Sequence, residues 1–142
     1  MTLNFLLSDI RQILINYDYR SDEIILQTVG QQTSLATSLQ NAIYIIEESN
    51  MPSVSNLQFS DIAIYVRRPN PESANTVAQD IYHKLHGRRG NAGVVSAGFA
   101  KINIIEALSK PYAFSTNTTG ANTTEYVIKF RVQYIDTDFA NF

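Results

Sequence analysis

The stretch Asp61-Ile62-Ala63-Ile64-Tyr65-Val66-Arg67-Arg68-Pro69-Asn70-Pro71-Glu72-Ser73-Ala74 decides the fold. Its first eight residues alternate. Ile62, Ile64 and Val66 share one face of an extended strand, and Ala63 and Tyr65, with Phe59 upstream, share the other. The spacing predicts a strand over 57–68 that is apolar on both faces. Arg67-Arg68-Pro69 closes it, and Asn70-Pro71-Glu72 is a helix start. Asn70 can cap, Pro71 takes the first position, where no N–H is needed, and Glu72 meets the positive end of the dipole. Ala74, Val77, Ala78, Ile81, Tyr82 and Leu85 then repeat at helical spacing until Gly87, a left-handed stop. Asp80 and Lys84 form a favourable i,i+4 pair on the outer side of this helix. A two-faced strand under one helix leaves its second face in need of cover, from the same chain or from a neighbouring subunit.

Upstream, residues 3–17 read as a helix. Leu3, Leu6, Leu7, Ile10, Ile13, Leu14 and Tyr17 form its apolar stripe, with Thr2 as cap and Ser8, Asp9, Arg11, Gln12 and Asn16 on the other side. Glu23 to Val29 is a short β-prone run stopped by Gly30, and 31–40 reads as a loop or weak helical turn. Ala42 to Ile46 is an interior strand, expected to end at Glu47-Glu48-Ser49-Asn50 and Pro52. Downstream, Arg88 to Gly93 reads as a basic, Gly-rich loop and Phe99 to Ala107 as a strand ending before Lys110-Pro111. Ser115 to Thr124 reads as a long Asn/Thr-rich loop. Glu125 to Ile135 alternates most cleanly: Tyr126, Ile128, Phe130, Val132 and Tyr134 inward, Glu125, Lys129, Arg131 and Gln133 toward water. The order is α-β-β-β-α-β-β: an α+β domain spanning 1–142, a mostly antiparallel sheet of about five strands with two helices on one face.

Composition narrows the function classes. Of 142 residues 44% are apolar and 17% charged, which is globular rather than disordered. The net charge of −2 argues against whole-surface attraction to nucleic acid. No cysteine is present, which removes disulfide scaffolds, thiol nucleophiles and Cys-based zinc sites together. No apolar run reaches a membrane span, and Met1-Thr2-Leu3-Asn4-Phe5 lacks the basic start of a signal peptide, so the expectation is a soluble protein made without export.

Chemistry-bearing patterns are sparse. Asp80, His83 and His86 fall at i, i+3 and i+6 and drift off one helix face. With no further histidine or cysteine they do not complete a transition-metal site. A hydrolase would have to use His83 or His86, with no nucleophile elbow and no phosphate-cradling glycine loop to support it. The expectation is no enzyme and no cofactor. Arg67-Arg68 and Arg88-Arg89 bracket the second helix and fall at its opposite ends, about 24 Å apart. They read either as solvated loop charge or as a contact to an acidic partner or passing DNA.

The run 61–74, followed by Ala78, Ile81 and Leu85-His86-Gly87, resembles small virion proteins of tailed phages, the tail terminator or minor capsid proteins. The N-terminal amphipathic helix, the mid-chain strand followed by Pro, the Lys110-Pro111-Tyr112 link and the final alternating strand extend that resemblance. It implies a subunit of a ring, expected to be hexameric, at the head-proximal end of the tail tube. Such a ring stops tube polymerisation and meets the head-tail connector or stopper protein; the alternative within the same class is another neck protein, a head-closure or connector subunit contacting DNA in the channel. The implied partners are copies of itself, the tube protein, that connector and, non-specifically, DNA in the channel. The residues expected to carry subunit or tube contacts are Phe59, Ala63, Tyr65, Arg67, Arg68, Arg88, Arg89, Asn117 and Asn122, on strand three and in the loops 88–97 and 115–124.

Overall fold

The structure is a computed structural model that describes residues 5–27, 41–54, 57–89, 100–116 and 124–136. Helix α1 (Phe5–Asn16) is followed by strands β1 (Ile24–Gln27), β2 (Ala42–Val54) and β3 (Leu57–Arg68). Helix α2 (Pro71–Leu85) follows, then β4 (Arg88–Arg89), β5 (Ala100–Ala107), β6 (Tyr112–Thr116) and β7 (Thr124–Asp136). The strands form one sheet in the order β1-β2-β3-β7-β5-β4. β6 lies in line with β5 along the N-terminal part of β7. Every pairing is antiparallel except β1 with β2. The α+β architecture expected from the sequence is therefore present, with seven strands among the described residues rather than about five.

Both helices cover one face. Leu6, Leu7, Ile10, Ile13 and Leu14 of α1 and Ala78, Ile81 and Leu85 of α2 join Ile43, Ile45, Ile62, Ile64, Val66, Ile128, Phe130 and Val132 in a single buried cluster. The two periodicities, near 3.6 in the helices and 2 in the strands, meet here. The start of α2 has the expected chemistry: Asn70 Oδ1 accepts the Glu72 N–H at 2.7 Å and the Ser73 N–H at 3.4 Å, and Pro71 stands at the first turn. Gly87 has φ 77° and passes the chain into β4, its N–H donating to the Ile105 carbonyl at 2.8 Å. At the end of α1 the left-handed position falls on Asp18 (φ 71°), with the Tyr19 N–H returning to the Leu14 carbonyl at 3.1 Å.

Several boundaries differ from the sequence reading, for identifiable reasons. β2 does not stop at Glu47; it runs on through Pro52 to Val54, because its register with β3 shifts between Glu47 and Ser49 and again between Met51 and Val54. Such irregularities let a proline, which cannot donate to the ladder, ride in a strand. Arg88-Arg89 is not loop but the short strand β4 on β5. Ser115, Thr116 and Thr124, expected in a loop, belong instead to strands β6 and β7. Asp9 is buried rather than water-facing, although it lies on the polar side of the helical pattern. Thr2, Leu3, Gly30, 31–40, Asn117 and Asn122 lie outside the described residues. Among the described residues no helix is long and apolar enough to cross a membrane.

Candidate interaction surface

The sheet's second face carries the residues expected to make contacts, and its rows follow from the register. Ala42 pairs Arg67, which pairs Glu125; Tyr44 pairs Tyr65, which pairs Val127; Ile46 pairs Ala63, which pairs Lys129. Ser49 pairs Asp61, which pairs Arg131, and Phe59 pairs Gln133. Directly opposed residues of a sheet share a face, so each row is a set of neighbours.

This face is not uniform. Ala42, Tyr44, Ile46, Ala63, Tyr65 and Val127 form a second buried cluster, separate from the helical core. Ala63 is fully buried and Tyr65 is 5% exposed within the subunit, and Phe59 is half-buried. The expectation that strand three leaves Ala63 and Tyr65 uncovered is thus corrected: one chain hides both. Tyr65 stacks on Tyr44 with ring centroids 5.2 Å apart and receives Phe114 edge-on at 5.0 Å.

Below the aromatic row sits a buried ion pair. Arg67 Nε and Nη2 each lie 2.7 Å from Glu125 Oε2, with the two side chains 1% and 2% exposed. The Tyr44 hydroxyl donates to the same carboxylate oxygen, and the Arg67 guanidinium lies 5.6 Å from the Tyr44 ring centroid. Burial first, and then the bond to Glu125, push the Tyr44 phenol well above its ordinary pKa, so it stays a donor. Glu125, read from the alternation as water-facing, is the acceptor that holds this corner together. Toward the other end the face turns polar. Asp61 accepts two bonds from Arg131, at 2.8 and 3.1 Å, and Glu48 lies 3.6 Å from Lys129.

The other candidate cations are also occupied by the fold. Arg68 pairs with Glu23 at 3.0 Å and is only slightly exposed. The Arg88 guanidinium bonds the Tyr17 hydroxyl and lies 5.1 Å from that ring's centroid. Lys84 bridges Asp80 at 2.9 Å, as its spacing predicted, and stands over both Tyr17 and Tyr19. Arg67, Arg68 and Arg88 are therefore held by partners within the fold, rather than standing as solvated loop charge. Of Arg89 the structure fixes its place in β4.

The histidines are engaged in holding α2 to the sheet or lie on its surface. His86 Nδ1 accepts the Ala107 N–H at 2.9 Å, and its ring stacks on Tyr82. His83 is exposed and meets the Tyr82 ring edge. Asp80 is held by Tyr19 and Lys84. Among the described residues no group of three His, Asp or Glu could hold a metal ion.

The exposed greasy surface lies elsewhere. Leu108 (50% exposed), Tyr112 (43%) and Phe114 (47%) are the exposed large hydrophobics among the described residues, and all three belong to the β5–β6 flank. Tyr112 is opposite Val127, so it stands on the second face, as does Phe114 against Tyr65. The Leu108 N–H donates to the Lys129 carbonyl at 2.7 Å, tying the link between β5 and β6 to the same strand. Reading Lys110-Pro111 as the end of the strand hid this flank; the alternation of Tyr112 and Phe114 was the signal for its resumption.

No family model and no curated protein matches the chain. Among solved structures it is similar to a chain of the virion of a native gene transfer agent (GTA) particle. The TM-score is 0.55 at 11% identity, covering 89% of this chain and 93% of that one. At that identity the likeness is one of fold, and it extends over nearly the whole of both chains.

Proposed function

We propose that this protein is a structural virion subunit of the tailed-phage type, specifically a tail terminator. In this reading copies of the chain form a ring on the head-proximal end of the tail tube, stop its polymerisation and present the surface that joins the connector. It works in the virion neck, after synthesis in the host cytoplasm, and performs no catalysis.

One observation carries the reading. The strand–cap–helix unit 61–87, whose sequence resembles tail terminators, lies within a fold similar over 89% of the chain to a chain of a gene transfer agent virion. The side-chain chemistry supports an assembly role: His86, Asp80, Arg67 and Arg88 are spent on the subunit's own architecture, and among the described residues the exposed large apolar side chains lie together on one flank. Exposed apolar side chains gathered in one place mark contacts with other proteins. Light scattering on the purified chain, alone and with tube protein, tests the proposal, with electron microscopy of tails capped by it. A ring-sized species or a capped tube end is the expected result, and a strict monomer in the presence of tube protein sinks it.

A further inference from the structure

Among the described residues, two strand edges of the sheet have no further strand paired to them and carry no charge. β1 (Ile-Ile-Leu-Gln) pairs only with β2, and β6 (Tyr-Ala-Phe-Ser-Thr) pairs only with β7, among the described residues. Folded proteins ordinarily guard such edges with lysine, arginine or proline inside the strand. The remaining edge strand, β4, is guarded in that way, being Arg88-Arg89. Pro111 stands before β6 rather than inside it, and the run is irregular only between Ala113 and Ser115, where its register with β7 shifts.

The two open edges also match in sense and height. β1 runs with β2, β3 runs against β2, β7 against β3, and β6 against β7, so β1 and β6 run in opposite directions on opposite flanks. The row Ile25–Tyr44–Tyr65–Val127–Tyr112 crosses the whole sheet at one level. A second copy set beside the first with the same face forward therefore brings its β1 against this β6 as an antiparallel pair. Arg11 already holds the Ile24 carbonyl at 3.2 Å, so the free run of β1 begins beyond that group.

From this geometry we infer that the subunits of the ring join edge to edge, β6 of one copy adding to β1 of the next, with Leu108, Tyr112 and Phe114 covered by the neighbour. The contact is heterologous, the kind whose repetition builds a ring when the rotation from copy to copy closes. Main-chain bonds supply the register, and the apolar flank supplies the burial. The inference rests on the ring reading above and names the surface that builds it.

The absence of native cysteine makes a clean test. In one chain Ile25 and Tyr112 are separated by the width of β2, β3 and β7, about 19 Å across four strand spacings, far beyond disulfide reach. An Ile25→Cys/Tyr112→Cys double variant, oxidised or treated with a short bis-maleimide, gives a ladder of covalent multimers, while each single-cysteine variant gives none. In parallel, Leu108→Glu/Tyr112→Glu, at two exposed positions, converts the multimer to monomer with an unchanged circular dichroism spectrum. Three outcomes overturn the inference. If the wild type assembles without a ladder, the edges are not the joint and the ring reading stands. If Tyr112→Cys alone yields dimers, β6 pairs with itself about a two-fold axis. If the wild type is monomeric at every concentration and with tube protein present, the ring falls as well.

Discussion

Glu125 is where the residue scale decides most. Its carboxylate accepts from Arg67 and from the Tyr44 hydroxyl in a place closed to water, joining β2, β3 and β7 at one end of the sheet. A buried pair of this kind is costly to break from one side, because the partner is left charged without compensation. Glu125→Ala is expected to lower unfolding free energy by about 3 kcal/mol, read as a shift of the urea midpoint. Replacing the pair together, Arg67→Met with Glu125→Leu, should recover most of that loss and come within about 1 kcal/mol of the wild type. If the double variant is no better than the single one, the cluster's value lies in its hydrogen-bond geometry rather than in charge compensation.

At the scale of elements, α2 is the part governed most locally. Its cap, its first-position proline, its buried stripe of Ala74, Ala78, Ile81 and Leu85, and its glycine stop lie in one run of the chain. Asn70→Ala removes the acceptor for two backbone N–H groups and should cost about 1 kcal/mol, whereas Asn70→Asp keeps it and should cost little; chemical denaturation distinguishes them. Everything needed to foresee this helix sits within a few residues of where it acts. β2 is the contrary case. Glu47 to Pro52 has the look of a strand end, yet two shifts of register with β3 let pairing continue. Register shifts depend on the opposite strand, which no local window contains.

For the molecule as a whole, the polar end of the second face sets part of the response to acid. Hydrogen bonds from Arg131 hold the Asp61 carboxyl below its ordinary pKa against an opposing push from burial. A carboxylate depressed in the folded state contributes stability in full above its unfolded pKa, and that contribution drains away as pH falls through the folded value. Asp61→Asn should thus be less stable than the wild type at neutral pH, by a difference that shrinks below about pH 4. Unfolding free energies measured across a pH series check this; a gap that persists unchanged in strong acid would refute it.

The sequence by itself determined the class of the fold, the extent of α2 and the inward residues of β7. It also determined that Ile62, Ile64 and Val66 share one face, because alternation is written in neighbouring positions; that this face meets the helices came from the structure. It set Ala63 on the side opposite Ile62, Ile64 and Val66, and Glu125 on the side opposite the inward residues of β7. Only tertiary structure decided that Ala63 and Tyr65 are hidden, that Glu125 and Arg67 are a buried pair, and that the uncovered apolar flank is Leu108, Tyr112 and Phe114. Alternation reports which way a side chain points but not what stands opposite it. Arg67 meets Glu125 across 58 residues of chain, and burial belongs to such pairings rather than to either residue alone.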